Sequence, residues 1–209
     1  QMAEITLSDG THVWLNSGTT LRYADNFGQE ARQVKLDGEA FFKVKKDEIP
    51  FKVQLNRSEI EVLGTSFAAL SYKEDNFCRV TLVEGSVKVN NAYGEEISRL
   101  SPEEQIYIPE NPEAYSVKKV NIRFYESWTE GKIEFDDEKL SEVARRLERW
   151  YNVEIIFKQE EIGDLRFSGT ILKNKPFNQI TRAFCLLLPV EVNYQNNIED
   201  KDVITISKK

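Results

Sequence analysis

A single histidine, His12, is the one imidazole available for a Ser-His-Asp or Cys-His arrangement in this chain of 209 residues. It shares one face of a short strand with Trp14, opposite Thr11, Val13 and Leu15, which reads as a surface or interstrand position rather than a base. One histidine and two distant cysteines, Cys78 and Cys185, cannot supply the locally spaced ligands of a zinc site. The glycines never form GxGxxG or GxxxxGK[ST], so no phosphate loop is offered. Carboxylates are abundant, and Asp136-Asp137 is the tempting pair for glycoside hydrolysis. Those acids also stand where a helix is expected to open, and N-capping accounts for both. Glu39 and Glu84 adjoin turn glycines, as hairpin ends often do. Trp14, Phe41, Phe42 and Phe67 could form a sugar-stacking surface, yet alternating aromatics in strands are more often core or cross-strand pairs. Trp128 and Trp150 are read as packing residues of the second half. No catalytic residue, metal or cofactor is expected.

Composition narrows the function further. The 28 basic and 35 acidic side chains give a net charge of −7, the wrong sign for gripping a phosphate backbone, so no nucleic-acid partner is expected. Lys43, Lys45 and Lys46 form no basic patch, because they fall in a strand end and a turn. With 12 Phe, 8 Tyr and 3 Trp the chain is too aromatic to be disordered. No stretch approaches the roughly 20 apolar residues of a membrane helix. The longest apolar run, Phe184–Leu188 with Val190, is broken by Pro189. Gln1 follows no initiator Met, so the chain reads as a piece of something longer whose upstream part could hold a membrane anchor. Cys185, inside the apolar string AFCLLL, is expected to be a small buried hydrophobe.

The elements that would position these residues fall into two groups. From Ile5 to Val89 short alternating strands are punctuated by turns: Thr11–Leu15, Leu21–Tyr23, Gln33–Leu36, Glu39–Val44, Phe51–Leu55, Glu59–Leu63, Phe67–Tyr72, Cys78–Val83 and Ser86–Val89, with Ile106–Pro109 beyond. Ser8-Asp9-Gly10 and Asp37-Gly38 are among the turn signals. This spacing predicts an all-β domain over 1–114, a curled sandwich or a solenoid-like stack. Residues 115–127 read as a linker. The remainder, 128–209, predicts a small α+β domain of order β-α-β-β-α-β-β. Its first helix opens at Phe135–Glu138 and carries the stripe Leu140, Val143, Ala144, Leu147, Trp150 and Tyr151. Its second starts near Pro176 and should bury Phe177, Ile180, Ala183, Phe184 and Leu187. Val190–Tyr194 and Val203–Ser207 would close it as a hairpin across Gln195–Lys201.

Five strings in order carry a resemblance: Asp9-Gly10-Thr11 with Val13–Asn16, Gly38–Val44, Pro50-Phe51, Val62–Phe67 and Thr81–Val87. They resemble the extracytoplasmic region of FecR-type anti-sigma regulators. Trp128–Gly131, Phe135–Asp137, Leu147–Tyr151 and Phe167–Thr170 resemble the C-terminal domain that follows it in Bacteroidetes-type regulators. That domain is similar to the secretin and TonB short N-terminal domain. The resemblance implies a non-enzymatic periplasmic region of a single-pass inner-membrane protein. It would receive a signal from the N-terminal signalling domain of a TonB-dependent outer-membrane transporter. The signal would pass to an extracytoplasmic-function sigma factor, contacted only through a cytoplasmic segment outside this sequence. As the final element, Val203–Ser207 is expected to be a sheet edge, making Val203, Ile204, Thr205, Ile206 and Ser207 the candidate partner-binding residues by strand addition. A carbohydrate-binding or carbohydrate-active envelope domain is the alternative, and a structural envelope scaffold a third reading.

Overall fold

In the run Arg32-Gln33-Val34-Lys35-Leu36, every second residue is buried and the others face water, the period of a strand covering a core. A computed structural model describes residues 2–29, 31–197 and 200–209. In it this strand does not stop at Asp37-Gly38 but runs on to Lys43. The contacts divide the chain into two units, 1–126 and 127–209.

The first unit is a curled sheet of twelve strands. They are β1 (Ala3–Thr6), β2 (His12–Leu15), β3 (Thr20–Tyr23), β4 (Arg32–Lys43), β5 (Phe51–Gln54), β6 (Ser58–Val62), β7 (Ser66–Ser71), β8 (Phe77–Glu84), β9 (Val87–Asn91), β10 (Glu96–Leu100), β11 (Glu104–Pro109) and β12 (Ser116–Lys119). The short helix α1 (Arg123–Glu126) follows. The first half of β4 pairs with β3 and, in parallel, with β5; its second half pairs with β2 and β7. One strand therefore belongs to both layers, β1-β2-β4-β7-β8-β11-β12 and β3-β4-β5-β6-β9-β10. Between them lies a continuous apolar core that includes Val34, Leu36, Phe42, Phe51, Phe67, Val80, Leu82 and Ile106.

Gly38 is where β4 passes from one layer to the other, so the expected turn there is corrected to a bend within a strand. Its φ is +139°, and a Cβ built on it would lie 2.6 Å from the Thr19 Cα. The Thr19 hydroxyl donates to Glu39 O and accepts from Glu39 N–H, both at 3.0 Å, which fastens the bend. Residues 116–119, expected as linker, form β12 on β11. Strand β10 was also not anticipated.

The second unit runs β13 (Lys132–Lys139), α2 (Leu140–Tyr151), β14 (Val153–Phe157), α3 (Glu160–Gly163), β15 (Arg166–Leu172), α4 (Phe177–Leu187), β16 (Val190–Gln195) and β17 (Asp202–Lys208). This matches the expected order with one added helical turn, α3. Part of the turn between β16 and β17, at 198–199, lies outside the described residues. Strands β13 and β15 form an antiparallel pair, and β14-β17-β16 a three-stranded sheet in which β14 runs parallel to β17. One core joins both sheets and the two longer helices through Phe135, Leu147, Phe167, Phe184, Val190, Ile204 and Ile206.

Two local expectations are corrected here. Asp136 and Asp137 do not open a helix: β13 continues past them to Lys139 through an irregularity between Phe135 and Glu138. Asp137 sits at φ +49° and its N–H donates to the Ser168 hydroxyl at 2.9 Å. Helix α2 begins at Leu140 without a side-chain cap, and Leu140 N–H is satisfied instead by Leu165 O at 2.7 Å. In α4, Ile180 and Phe184 are buried as expected, but Leu187 is exposed and Cys185 only half-buried.

Candidate functional site

The residues with chemical promise are held apart by the fold. His12 lies on β2, its Nδ1 3.3 Å from the Thr6 hydroxyl and its ring 6.2 Å from that of Trp14. Phe42 and Phe67 stack in the core with centroids 5.0 Å apart, while Trp14 packs against the buried Phe41 at 5.8 Å. These four aromatics therefore do not form an open sugar-stacking platform. Among the described residues no group of three or more His, Cys, Asp and Glu is placed to hold a metal ion. Cys78 is fully buried beside Ser58, and burial pushes its thiol up from the usual range. Cys185 lies in the other unit, and both cysteines are free.

The sequence strings have structural duties. Asp9 accepts from the Thr11 N–H at 2.8 Å and the Thr11 hydroxyl at 2.9 Å, and pairs with Arg32 at 3.2 Å. Arg32 is only 2% exposed and was not singled out by sequence. Its guanidinium donates to the carbonyls of Lys45 (2.8 Å) and Ile49 (2.8 Å from Nε, with a second bond from Nη2), reaches Leu63 O at 3.4 Å, and faces the Phe51 ring. One buried cation thus gathers the turn at Asp9, the loop 45–49 and the end of β6. Gly64 belongs to the same cluster, because a Cβ there would lie 2.6 Å from the Lys46 Cα. On the other side, Glu39 accepts from Asn16 Nδ2 at 2.6 Å, and the Tyr72 hydroxyl donates to Ser17 O at 2.8 Å. These groups position backbone.

Among the described residues each unit carries an open cleft. One, of about 420 Å³, lies in the first unit by Lys46, Pro50, Glu61, Leu63, Lys88 and Arg99. Much of its charge is internally paired: Glu61 lies 3.4 Å from Lys52 and 3.5 Å from Lys88, and Arg99 is 3.0 Å from Glu96. The other, of about 440 Å³, lies in the second unit beside Gly131, Leu172 and Lys173. Lys173 faces the Trp150 ring at 5.3 Å, and burial lowers its pKa from the usual lysine value.

What remains is surface. In the second unit Leu186 and Leu187 are 77% and 66% exposed at the end of α4, and Tyr194 of β16 is 42% exposed. The expected strand-addition segment is placed differently from its sequence reading. β17 is the middle strand, bonded to β14 on one side and β16 on the other, so it is corrected from an edge to a centre. Ile204 and Ile206 are buried at 1% exposure, while Val203, Thr205 and Ser207 alternate onto the other face.

The chain thus combines a bent two-layer β unit held by structural polar clusters with an α+β unit whose helix α4 ends in two exposed leucines. The model of the FecR protein family matches residues 1–88, and that of the FecR C-terminal domain matches residues 132–205. Two crystal structures of a candidate anti-sigma factor from Parabacteroides distasonis ATCC 8503, at 1.65 and 2.50 Å resolution, are similar to the whole chain. Each is 31% identical, covers 100% of this chain and 95% of its own, with TM-scores of 0.86 and 0.85. No curated protein matches the chain. The chain belongs to the FecR family, a family of regulators.

Proposed function

We propose that this chain is the periplasmic sensor region of a membrane-anchored anti-sigma factor, and that its two units are separate domains. It receives a signal from the N-terminal signalling domain of a TonB-dependent outer-membrane transporter. It relays that signal to an extracytoplasmic-function sigma factor held by a cytoplasmic segment beyond this sequence. Among the described residues no helix is long and apolar enough to cross a membrane, so in this reading the anchor also lies beyond it. Family membership supports the regulatory role. The observation that supports the docking role is the exposed Leu186–Leu187 pair, because covering solvated leucines with a partner's apolar surface lowers the free energy.

The test uses the full-length regulator in its host, with a reporter driven by the cognate sigma factor. Adding the transporter's substrate should induce the reporter, and deleting residues 127–209 should abolish that response. Normal induction without the second unit would refute the reading. The carbohydrate-binding alternative needs exposed aromatic platforms, and Phe42 and Phe67 are fully buried.

A further inference from the structure

The three-stranded sheet of the second unit has two outer edges, and they are finished differently. On β14, Glu154 and Ile156 bond to β17, an alternation fixed just past the strand by Lys158 N–H to Ile206 O at 2.9 Å. The N–H of Ile155 consequently points away from the sheet. It is already taken, donating to a carboxylate oxygen of Glu148 at 2.8 Å. Glu148 reaches over from α2, so this edge is plugged by a side chain, one of the ways proteins blunt strand addition.

Among the described residues the β16 edge has no such plug. Lys209 N–H donates to Pro189 O at 3.2 Å, which fixes the alternation along the antiparallel ladder. Glu191, Asn193 and Gln195 then bond to β17 at Ser207, Thr205 and Val203, and the backbone groups of Val192 and Tyr194 point outward. Among the described residues β16 pairs with β17 alone. Helix α4 lies along the same strand: the Thr181 hydroxyl contacts the Tyr194 hydroxyl, and the exposed leucines precede Val190 by three and four residues. A row of open N–H and C=O groups thus lies in the same strand–helix pair as an apolar patch.

We infer that β16 is the acceptor edge of this regulator, where an extended segment of a partner protein adds as a fourth strand and covers Leu186 and Leu187 with apolar side chains. Outward backbone groups at Val192 and Tyr194 select an extended backbone as occupant. A second copy of this chain fits less well. Two β16 strands paired about a two-fold axis run antiparallel, setting the leucine end of each beside the polar Gln195–Asn197 end of the other. The two apolar patches would then be separated by about 17 Å, the length of a six-residue strand, and remain wet. A different protein can bring its own apolar residues to that end.

The inference rests on the proposed docking role, and the experiment separates the two. The chain is titrated with the isolated N-terminal signalling domain of the neighbouring transporter, while amide exchange is followed by NMR. Val192 and Tyr194 amides should exchange about tenfold or more slowly in the complex than in the free chain. Val192→Pro removes an outward N–H together with part of the packing of Val192 on the core, so it is read against the packing control Val192→Ala, relative to which it should weaken binding about tenfold or more. The double variant Leu186→Glu, Leu187→Glu, altering exposed side chains, should weaken it similarly. Asn193→Pro, which removes a bond to β17, should instead lower Tm. A complex that leaves Val192 and Tyr194 unprotected and tolerates both binding variants overturns the β16 assignment but keeps the docking role. No complex at all overturns both. Protection of β16 by self-association alone overturns the choice of partner.

Discussion

Replacing Arg32 by alanine should cost the first unit more than almost any other single change. The guanidinium is 2% exposed and its partner carboxylate on Asp9 7%, so the substitution leaves a buried anion uncompensated. It also frees the carbonyls of Lys45 and Ile49 from their donors. Removing one member of a buried pair costs about 3–5 kcal/mol. Loop carbonyls partly regain water, so we take about 4 kcal/mol as the total. For a unit spanning residues 1–126, an unfolding entropy of about 2.1 cal/mol/K per residue makes that a fall of roughly 15 °C in Tm. Differential scanning calorimetry of the purified chain measures it. Arg32→Met combined with Asp9→Asn removes both charges and should recover about half of the loss, since an apolar replacement of a whole buried pair is far less costly. A loss below about 4 °C for Arg32→Ala would mean instead that water serves the three segments as well as the guanidinium does.

Other consequences are equally direct. Gly38→Ala places a methyl against the Thr19 backbone and forces a non-glycine residue to φ +139°; denaturant unfolding should show a loss of about 3 kcal/mol or failure to fold. Burial, the largest influence on it, raises the pKa of Glu148 from its usual 4.5, so the folded state binds that proton more readily than the unfolded chain. Its contribution to stability is therefore fullest below 4.5 and is lost as pH rises through the higher folded value. Glu148→Gln keeps an acceptor for Ile155 N–H and should gain on the wild type in Tm at pH 7 but not at about pH 4. A thiol reagent should label the half-exposed Cys185 at once and Cys78 only on unfolding, because burial raises the Cys78 pKa and shields it.

Local patterning made the β elements of the first unit and the strand–helix order of the second legible, since period-two and 3.6-residue stripes are properties of short segments. What escaped it depends on distance. Asp37-Gly38 has the composition of a hairpin turn, and only the approach of Thr19, from β3's side, reveals a strand crossing between layers. Asp136-Asp137 has the composition of a helix N-cap, but the partner strand β15 draws both into an irregular ladder. Ser116–Lys119 is exposed throughout and carries no alternation signal, so only its pairing with β11 identifies it. Arg32 looks like any surface arginine until Asp9, Lys45, Ile49 and Leu63 converge on it. The place of β17 in its sheet is hidden for the same reason. Being last in sequence suggested an edge for β17, whereas its parallel pairing with β14 sets it in the middle and leaves β16 outside.

In the proposed function this chain docks a signalling domain of an outer-membrane transporter through its second unit. Isothermal titration of the whole chain with that isolated domain, beside a panel of envelope glycans, tests it most directly. A one-to-one complex with Kd of about 1 µM or tighter, and no heat with glycans, is the expected result. Saturable glycan binding, with no complex to the transporter domain at about 100 µM, would contradict it.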